Sequence, residues 1–279
     1  MEMILIADSG STKTDWALAG ADGTVDRVQT QGINPFHQDG HTISMIIERE
    51  LCSHIDAAAV TEVVFYGSGV RPELQIPMET LLQRHFPESR SVSAYSDLLG
   101  AARALCQHER GVACILGTGA NSCLYDGERI LQNTPALGYV LGDEGSGAVL
   151  GVRFLNALYK NRLPDHVARA FEDEMHLQMA DVIERVYRQP LPNRFLASMA
   201  QFVGKLIDVP ELQQLVVENF CNFLRCNVAA YGKDSPVGVV GSMAYHFESQ
   251  WVRAIELEGF VKGKILKSPI EGLVQYHLG

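Results

Sequence analysis

The sequence predicts an α/β protein made of two related halves. Three observations carry this. Strand and helix signals alternate through the first 107 residues. A buried strand running into a glycine-centred hairpin occurs twice, and aligning Gly10 with Gly119 gives an offset of 109 residues. The second half is extended by a long helical stretch over residues 146–231, interrupted at Pro164, Pro190, Pro192 and Pro210.

In order, strands are predicted over residues 3–7, 14–19 and 24–30, with Gly-rich turns between them. Residues 42–55 have helical spacing, with Ile43, Ile46, Ile47 and Leu51 on one face. A short strand over 62–66 ends in Gly67-Ser68-Gly69, a helix follows over 73–86, a strand over 92–95, and Asp97 opens an Ala/Leu-rich helix to about residue 107. The pattern then restarts with strands over 112–116, 122–125 and 129–132. Beyond the helical stretch come a strand over 237–240 and a helix over 243–256. The domain boundary is expected between residues 108 and 109, giving domains 1–108 and 109–279, with the final helix packing back on the first.

The 279 residues are 47% hydrophobic, ample for buried cores, and 20% charged. The net charge of −10, with no clustered Lys and Arg, disfavours a nucleic-acid surface. It leaves room for one phosphorylated ligand held by backbone N–H groups. The six cysteines form no C-x-x-C pair, which points to reduced thiols rather than zinc ligands. Met1-Glu2-Met3 leads directly into a strand, and no apolar window approaches a membrane span, so a cytoplasmic protein is expected.

Five segments could carry chemistry. In Asp8-Ser9-Gly10-Ser11-Thr12-Lys13-Thr14-Asp15, Gly10 permits a tight turn and the small hydroxyl residues leave N–H groups free for an anion. Asp8 at the strand's carboxyl end suits a magnesium ion held largely through water, and Lys13 could add charge near phosphate. Taken alone, the segment reads first as an ordinary hairpin turn, because Gly/Ser/Thr turns are common. Gly117-Thr118-Gly119-Ala120-Asn121-Ser122 has the same character, and two such hairpins facing each other could grip a triphosphate. Asp97 follows a strand at a helix start, as a helix cap or as a general base. Asp143, in Gly138-Tyr139-Val140-Leu141-Gly142-Asp143-Glu144-Gly145-Ser146-Gly147, invites the same two readings. The glycines at 145, 147 and 151 mimic a dinucleotide fingerprint, but acidic Asp143-Glu144 stands where a strand should precede it. Val239-Val240-Gly241-Ser242-Met243-Ala244 runs from a strand into a helix, where an adenosine could lie against the backbone or the two elements could pack closely. No Walker A loop occurs.

Taken together these segments resemble the family of N-acetylglucosamine kinases and the related BadF/BcrA-type ATPases, within the actin and sugar kinase superfamily. The run Leu141-Gly142-Asp143-Glu144-Gly145-Ser146 is the most specific part. The resemblance implies two ribonuclease H-like, actin-type ATPase domains around a central cleft, the second enlarged by helices. It implies an ATP- and magnesium-dependent kinase acting on a small sugar, N-acetylglucosamine above all, at the C6 hydroxyl. Gly10, Ser11, Thr12, Lys13, Gly117, Thr118 and Gly119 would then contact ATP phosphates, with Asp8 near magnesium and Gly241 and Ser242 at the adenosine. Asp97 looks like the catalytic base. Asn34 in Gly32-Ile33-Asn34-Pro35 matches a sugar-binding Asn, and Asn121, Gly138 and Asp143 match further substrate positions. Leu137 departs from the family, which often carries Trp there. The competing readings are a sugar or nucleotide sensor without turnover, and a BadF/BcrA-type ATPase with another substrate. No nucleic-acid or membrane partner is expected. The oligomeric state is open, a homodimer included. His37 and His41 read as solvated residues.

Overall fold

The computed structural model describes residues 2–10 and 12–279. Contacts divide the chain into two units. The first comprises Met1–Glu109, Asp126–Arg129 and Ser268–Gly279, and the second Arg110–Tyr125 and Ile130–Lys267.

The first unit begins with β1 (Met3–Ser9), β2 (Lys13–Gly20) and β3 (Val25–Gln31), then α1 (Gly40–Ile46), β4 (Glu62–Gly67), α2 (Pro72–His85), β5 (Ser91–Ser96) and α3 (Asp97–Cys106). Its sheet runs β3-β2-β1-β4-β5. β1, β2 and β3 pair antiparallel, whereas β1–β4 and β4–β5 are parallel. The parallel strands are joined by helical crossovers, as parallel pairing requires. Leu5, Trp16, Phe65, Leu82 and Phe86 lie in its core. The Trp16 indole N–H is satisfied by Thr30 Oγ1 at 3.0 Å.

The second unit repeats the plan with β6 (Gly111–Leu116), β7 (Ala120–Tyr125) and β8 (Ile130–Thr134). It then inserts α4 (Gly138–Leu141), α5 (Gly147–Tyr159), α6 (Asp165–Met175), α7 (Met179–Tyr187), α8 (Pro192–Lys205) and α9 (Pro210–Phe223). It closes with β9 (Pro236–Val240), α10 (Ser242–His246), α11 (Glu248–Glu258) and β10 (Val261–Leu266). Read from β8, the sheet order is β8-β7-β6-β9-β10, with two antiparallel and two parallel pairings as in the first sheet. The halves are therefore related strand for strand. This core is separate, with interlocked Phe154, Phe171 and Phe202 rings and an edge-on Phe220–Trp251 pair.

The last helix, α12 (Ile270–Leu278), belongs to the first unit and packs on α3. A β-carbon on Gly272 would stand 2.5 Å from the Ala104 carbonyl oxygen, so only glycine allows this approach. Gln107 donates to the Gly272 carbonyl at 3.0 Å, and the Tyr66 hydroxyl joins His277 (2.9 Å) to Arg103 (2.7 Å).

Several elements differ from the sequence expectation. The helix expected over 42–55 ends at Leu51, its last turn widened so that the Cys52 N–H reaches the Ile47 carbonyl. The helix expected over 243–256 is two helices, because Phe247 leaves helical backbone geometry and buries its ring. β10 was not foreseen. Its centre, Lys262-Gly263-Lys264, lacks strand formers, and two lysines are the usual protection of an edge strand. Among the described residues no cysteine is joined in a disulfide. His37 and His41 are exposed.

Candidate functional site

The carboxyl end of β1 organises the first unit's candidate residues. Ser9 is buried, and its hydroxyl pairs with Thr14 Oγ1 at 2.6 Å and donates to the Ile33 carbonyl at 2.8 Å. The Ile33 N–H returns a bond to Ser9 Oγ at 3.0 Å. These bonds lock the base of the β1–β2 hairpin to the residue before Asn34. The Gly10 N–H closes the turn on the Lys13 carbonyl at 3.0 Å. Thr12 is exposed, and its carbonyl accepts the Gly32 N–H at 3.1 Å. Ser11, named among the phosphate contacts, lies outside the described residues. The Lys13 ammonium pairs with Asp15 at 2.7 Å. Asn34 is buried, and its Oδ1 accepts the Phe36 N–H at 3.0 Å. A β-carbon on Gly69, whose φ is +84°, would overlap Asn34 Oδ1 at 2.1 Å, so the Gly67-Ser68-Gly69 turn is shaped around that side chain.

Asp97 does not cap its helix. Ser96 does, its hydroxyl accepting the Leu99 N–H at 3.3 Å from extended backbone. The Asp97 carboxylate is thereby free of that task. Burial holds its pKa above the ordinary 3.8, opposed by backbone N–H groups of Leu98 and Asp97 itself. Asp8 is pushed from 3.8 to about 7, chiefly by burial and further by the charges of Asp15 and Asp97. Lys13 and Ser268 pull the other way. The Ser268 hydroxyl is buried with no hydrogen-bond partner.

The charges of Asp15 and Asp97 disfavour an ionised Asp8, a repulsion that a cation relieves. Among the described residues no three His, Cys, Asp or Glu side chains form a ligand cage. All-oxygen donors without a protein cage fit a magnesium ion that keeps much of its water and leans on substrate phosphate.

In the second unit the hairpin between β6 and β7 is fixed from behind. The Gly147 and Ala148 N–H groups of α5 donate to the carbonyls of Gly117 (2.8 Å) and Thr118 (3.2 Å), and the Gly117 N–H reaches the Gly119 carbonyl at 3.0 Å. Thr118 itself is exposed. Asp143 has φ +52°, unusual for a non-glycine residue, and its carboxylate takes backbone N–H groups of Ala120 and Gly138. Burial raises its pKa above the ordinary value. Capping of α5 again falls to serine, with Ser146 Oγ accepting the Val149 N–H at 3.2 Å. Asn121 Oδ1 accepts from Asn133 Nδ2 at 3.0 Å. Neighbouring Glu144 is oriented by Asn227 Nδ2 at 3.0 Å. Gly138 has φ +75° and opens an exposed apolar segment in which Leu137 is 58% and Leu141 75% accessible.

The remaining glycines serve packing. A β-carbon on Gly151 would overlap the Leu196 carbonyl at 2.0 Å, so this glycine lets α5 approach α8. No strand precedes the Gly145–Gly151 run, which excludes the dinucleotide reading. At Gly241, φ is +122° and a β-carbon would stand 2.2 Å from the Leu116 carbonyl. Close backbone packing therefore demands this glycine, and Ser242 follows it exposed at the first turn of α10.

The sequence reading missed Ser268 and Asp15 as neighbours of Asp8. Ser268 lies some 260 residues away and belongs to no local motif. For Asp15, the strand alternation that puts it opposite Asp8 across β1–β2 was an available signal.

No protein-family model and no curated protein matches the chain. Among solved structures, a candidate N-acetylglucosamine kinase from Porphyromonas gingivalis is 45% identical over 99% of both chains, with a TM-score of 0.94. A candidate N-acetylglucosamine kinase from Chromobacterium violaceum is 19% identical over 99% of both chains at a TM-score of 0.76. Component A of (R)-2-hydroxyglutaryl-CoA dehydratase from Acidaminococcus fermentans is 12% identical, covering 100% of this chain and 97% of that one, at 0.51. The last two share the fold, and at such identity the fold alone.

Proposed function

Since the chain belongs to the N-acetylglucosamine kinase-like family of the actin-type sugar kinases, we propose that it transfers the terminal phosphoryl group of ATP to the C6 hydroxyl of N-acetylglucosamine. The observation that carries this reading is the grouping of Asp8 and Asp97 at the carboxyl end of the first sheet. Asp97 is spared from capping by Ser96 and held by burial above its ordinary pKa, which makes it a stronger base than an exposed carboxylate.

In the proposed reaction the acceptor hydroxyl gives its proton to Asp97 as its oxygen bonds to the γ-phosphorus. The bond from that phosphorus to the β,γ-bridging oxygen breaks, releasing ADP. Asn34 and Asp143 orient the sugar, with Asn121 beside them. Asn34 is pre-set by its bond to the Phe36 N–H, and Asp143 by those from Ala120 and Gly138. The hairpin N–H groups around Gly10 and Gly119, with the Thr12 and Thr118 hydroxyls, receive phosphate oxygens. Gly241 and Ser242 border the adenosine. Asp8 would hold a magnesium ion through water, and that ion would supply positive charge to offset the phosphates.

The test is a coupled assay with ATP and magnesium across N-acetylglucosamine, glucosamine, glucose and muramic-acid derivatives, with the phosphorylated carbon located by phosphorus NMR. N-Acetylglucosamine 6-phosphate is the expected product, at the highest kcat/KM of the panel. Sugar binding without any sugar phosphate would instead identify a sensor.

A further inference from the structure

Helix α7 presents two apolar faces. Val182 is buried and Val186 half-buried on the face that joins the core beside α8. A second face carries Met179, Ile183 and Tyr187, which are 59%, 52% and 77% exposed. Residues four apart on a helix are neighbours, so these three form one stripe. Leu191, 54% exposed, follows just past the helix end. Single exposed apolar side chains are ordinary, but four large ones within one short segment mark an interaction surface.

Two further features point to what covers it. Leu191 has left-handed backbone, φ +56° and ψ +45°, which is unfavourable for leucine, and Pro192 behind it favours extended backbone at that position. The fold therefore keeps this exposed side chain in place against its local preference, as happens at functional surfaces. Glu184 and Arg188 are exposed, and each directly follows a residue of the stripe, so they share one flank of it. Their spacing suits an ion pair within the helix, yet among the described residues neither makes one. With Asp181 and Arg185, α7 carries two acids and two bases on a chain of net charge −10. That balance disfavours an anionic lipid surface, which selects helices rich in Lys and Arg.

We infer that this face of α7 is the contact between two copies of the chain, related by a two-fold axis with their α7 helices antiparallel. The choice of a second copy rests on self-complementarity, which a two-fold contact requires. Antiparallel helices crossing near Arg185 set Ile183 of each copy against Tyr187 of the other, with Met179 and Leu191 at the two ends. The same crossing turns Glu184 of each copy towards Arg188 of the other, whereas parallel helices would oppose like charges. The surface is small for a stable interface, so association in the micromolar range is expected. The inference is independent of the substrate.

Sedimentation equilibrium of the full chain, from about 1 to 100 µM, tests it. Wild type should dimerise with a Kd of roughly 1–50 µM. Ile183→Glu places an unpaired charge at the centre of the contact and should weaken the dimer at least about 50-fold. Its melting temperature at the lowest concentration should stay within about 2 °C of wild type, because the residue is exposed in the single chain. Glu184→Arg and Arg188→Glu should each weaken the dimer about fivefold, by setting like charges against each other. An equimolar mixture of these two variants should pair more tightly than either does with itself, since opposite charges then meet only across copies. Wild type that stays monomeric at the highest concentration overturns the inference. So does a dimer that Ile183→Glu leaves intact, or a mixture that pairs no better than its components. A monomer that floats with phosphatidylcholine–phosphatidylglycerol vesicles, and loses this with Ile183→Glu, overturns it in favour of a lipid surface.

Discussion

Gly119 and Asp143 meet so closely that a β-carbon on the glycine would stand 3.0 Å from Asp143 Oδ2. The glycine-bearing segments 117–122 and 138–147 of the second unit, legible separately in the sequence, are one construction. The hairpin leaves room for the carboxylate, and the carboxylate binds the Ala120 N–H at the hairpin's end. Gly119→Ala adds a methyl group that Asp143 must yield to. Because Gly119 is not in the left-handed region, the fold should survive, with a melting temperature within about 4 °C of wild type. The KM for sugar should rise roughly tenfold, about the effect of losing 1.4 kcal/mol of binding. Steady-state kinetics with sugar as the varied substrate checks this; an unchanged KM detaches Asp143 from the substrate.

Asp97→Asn removes the proposed base while keeping its shape. Turnover should fall by ~10²–10⁴. Calorimetric affinity for sugar should change by less than about threefold, since the amide still accepts and donates hydrogen bonds. Near-normal turnover in this variant would end the assignment of Asp97 as base.

Asp8 predicts a pH dependence whose sign can be worked out. Its pKa is about 7 in the folded chain and near 3.8 when unfolded, so between those values the folded state holds a proton that the unfolded state has released. Stability from this group therefore falls as pH rises through that window and stays reduced above it. The shift corresponds to at most about 4 kcal/mol. Asp8→Asn abolishes the titration. In metal-free buffer it should melt several degrees above wild type at pH 8, with the gap narrowing towards pH 4.5. Scanning fluorimetry at the two pH values decides, and a gap independent of pH would show that Asp8 is not strained.

Ser96 has a structural task and, through its neighbour, a chemical one. Ser96→Ala removes the cap of α3 and should cost about 1 kcal/mol. That corresponds to a fall of about 2–4 °C in melting temperature. Because Asp97 is the next residue, kcat should drop as well. Ser96→Asp supplies another good cap and should recover the stability, as thermal denaturation of both variants will reveal.

Much of this was readable beforehand, for identifiable reasons. Alternating strands and helices, the repeat at Gly10 and Gly119, and the position of Asp97 all follow from local patterns of period and turn chemistry. The division of labour at the helix starts did not, because aspartate and serine cap almost equally well and the sequence offers both at 96–97 and at 143–146. Geometry chose serine each time, sparing the carboxylates from capping those helices. Phe247 escaped notice because a phenylalanine is as acceptable inside a helix as at its end until burial decides its direction. The edge strand β10 escaped because edges favour charge over strand propensity.

Composition and short-range pattern by themselves determined the α/β class, the duplicated strand–hairpin plan, and the acidic and glycine residues at strand ends. Those properties depend on neighbours within about ten positions, which the chain states directly. Only the tertiary structure decided that Gly119 yields space to Asp143 and that Gly241 is demanded by the backbone of Leu116. Such contacts join segments far apart in the chain, and it is packing density that brings them within a hydrogen bond's reach.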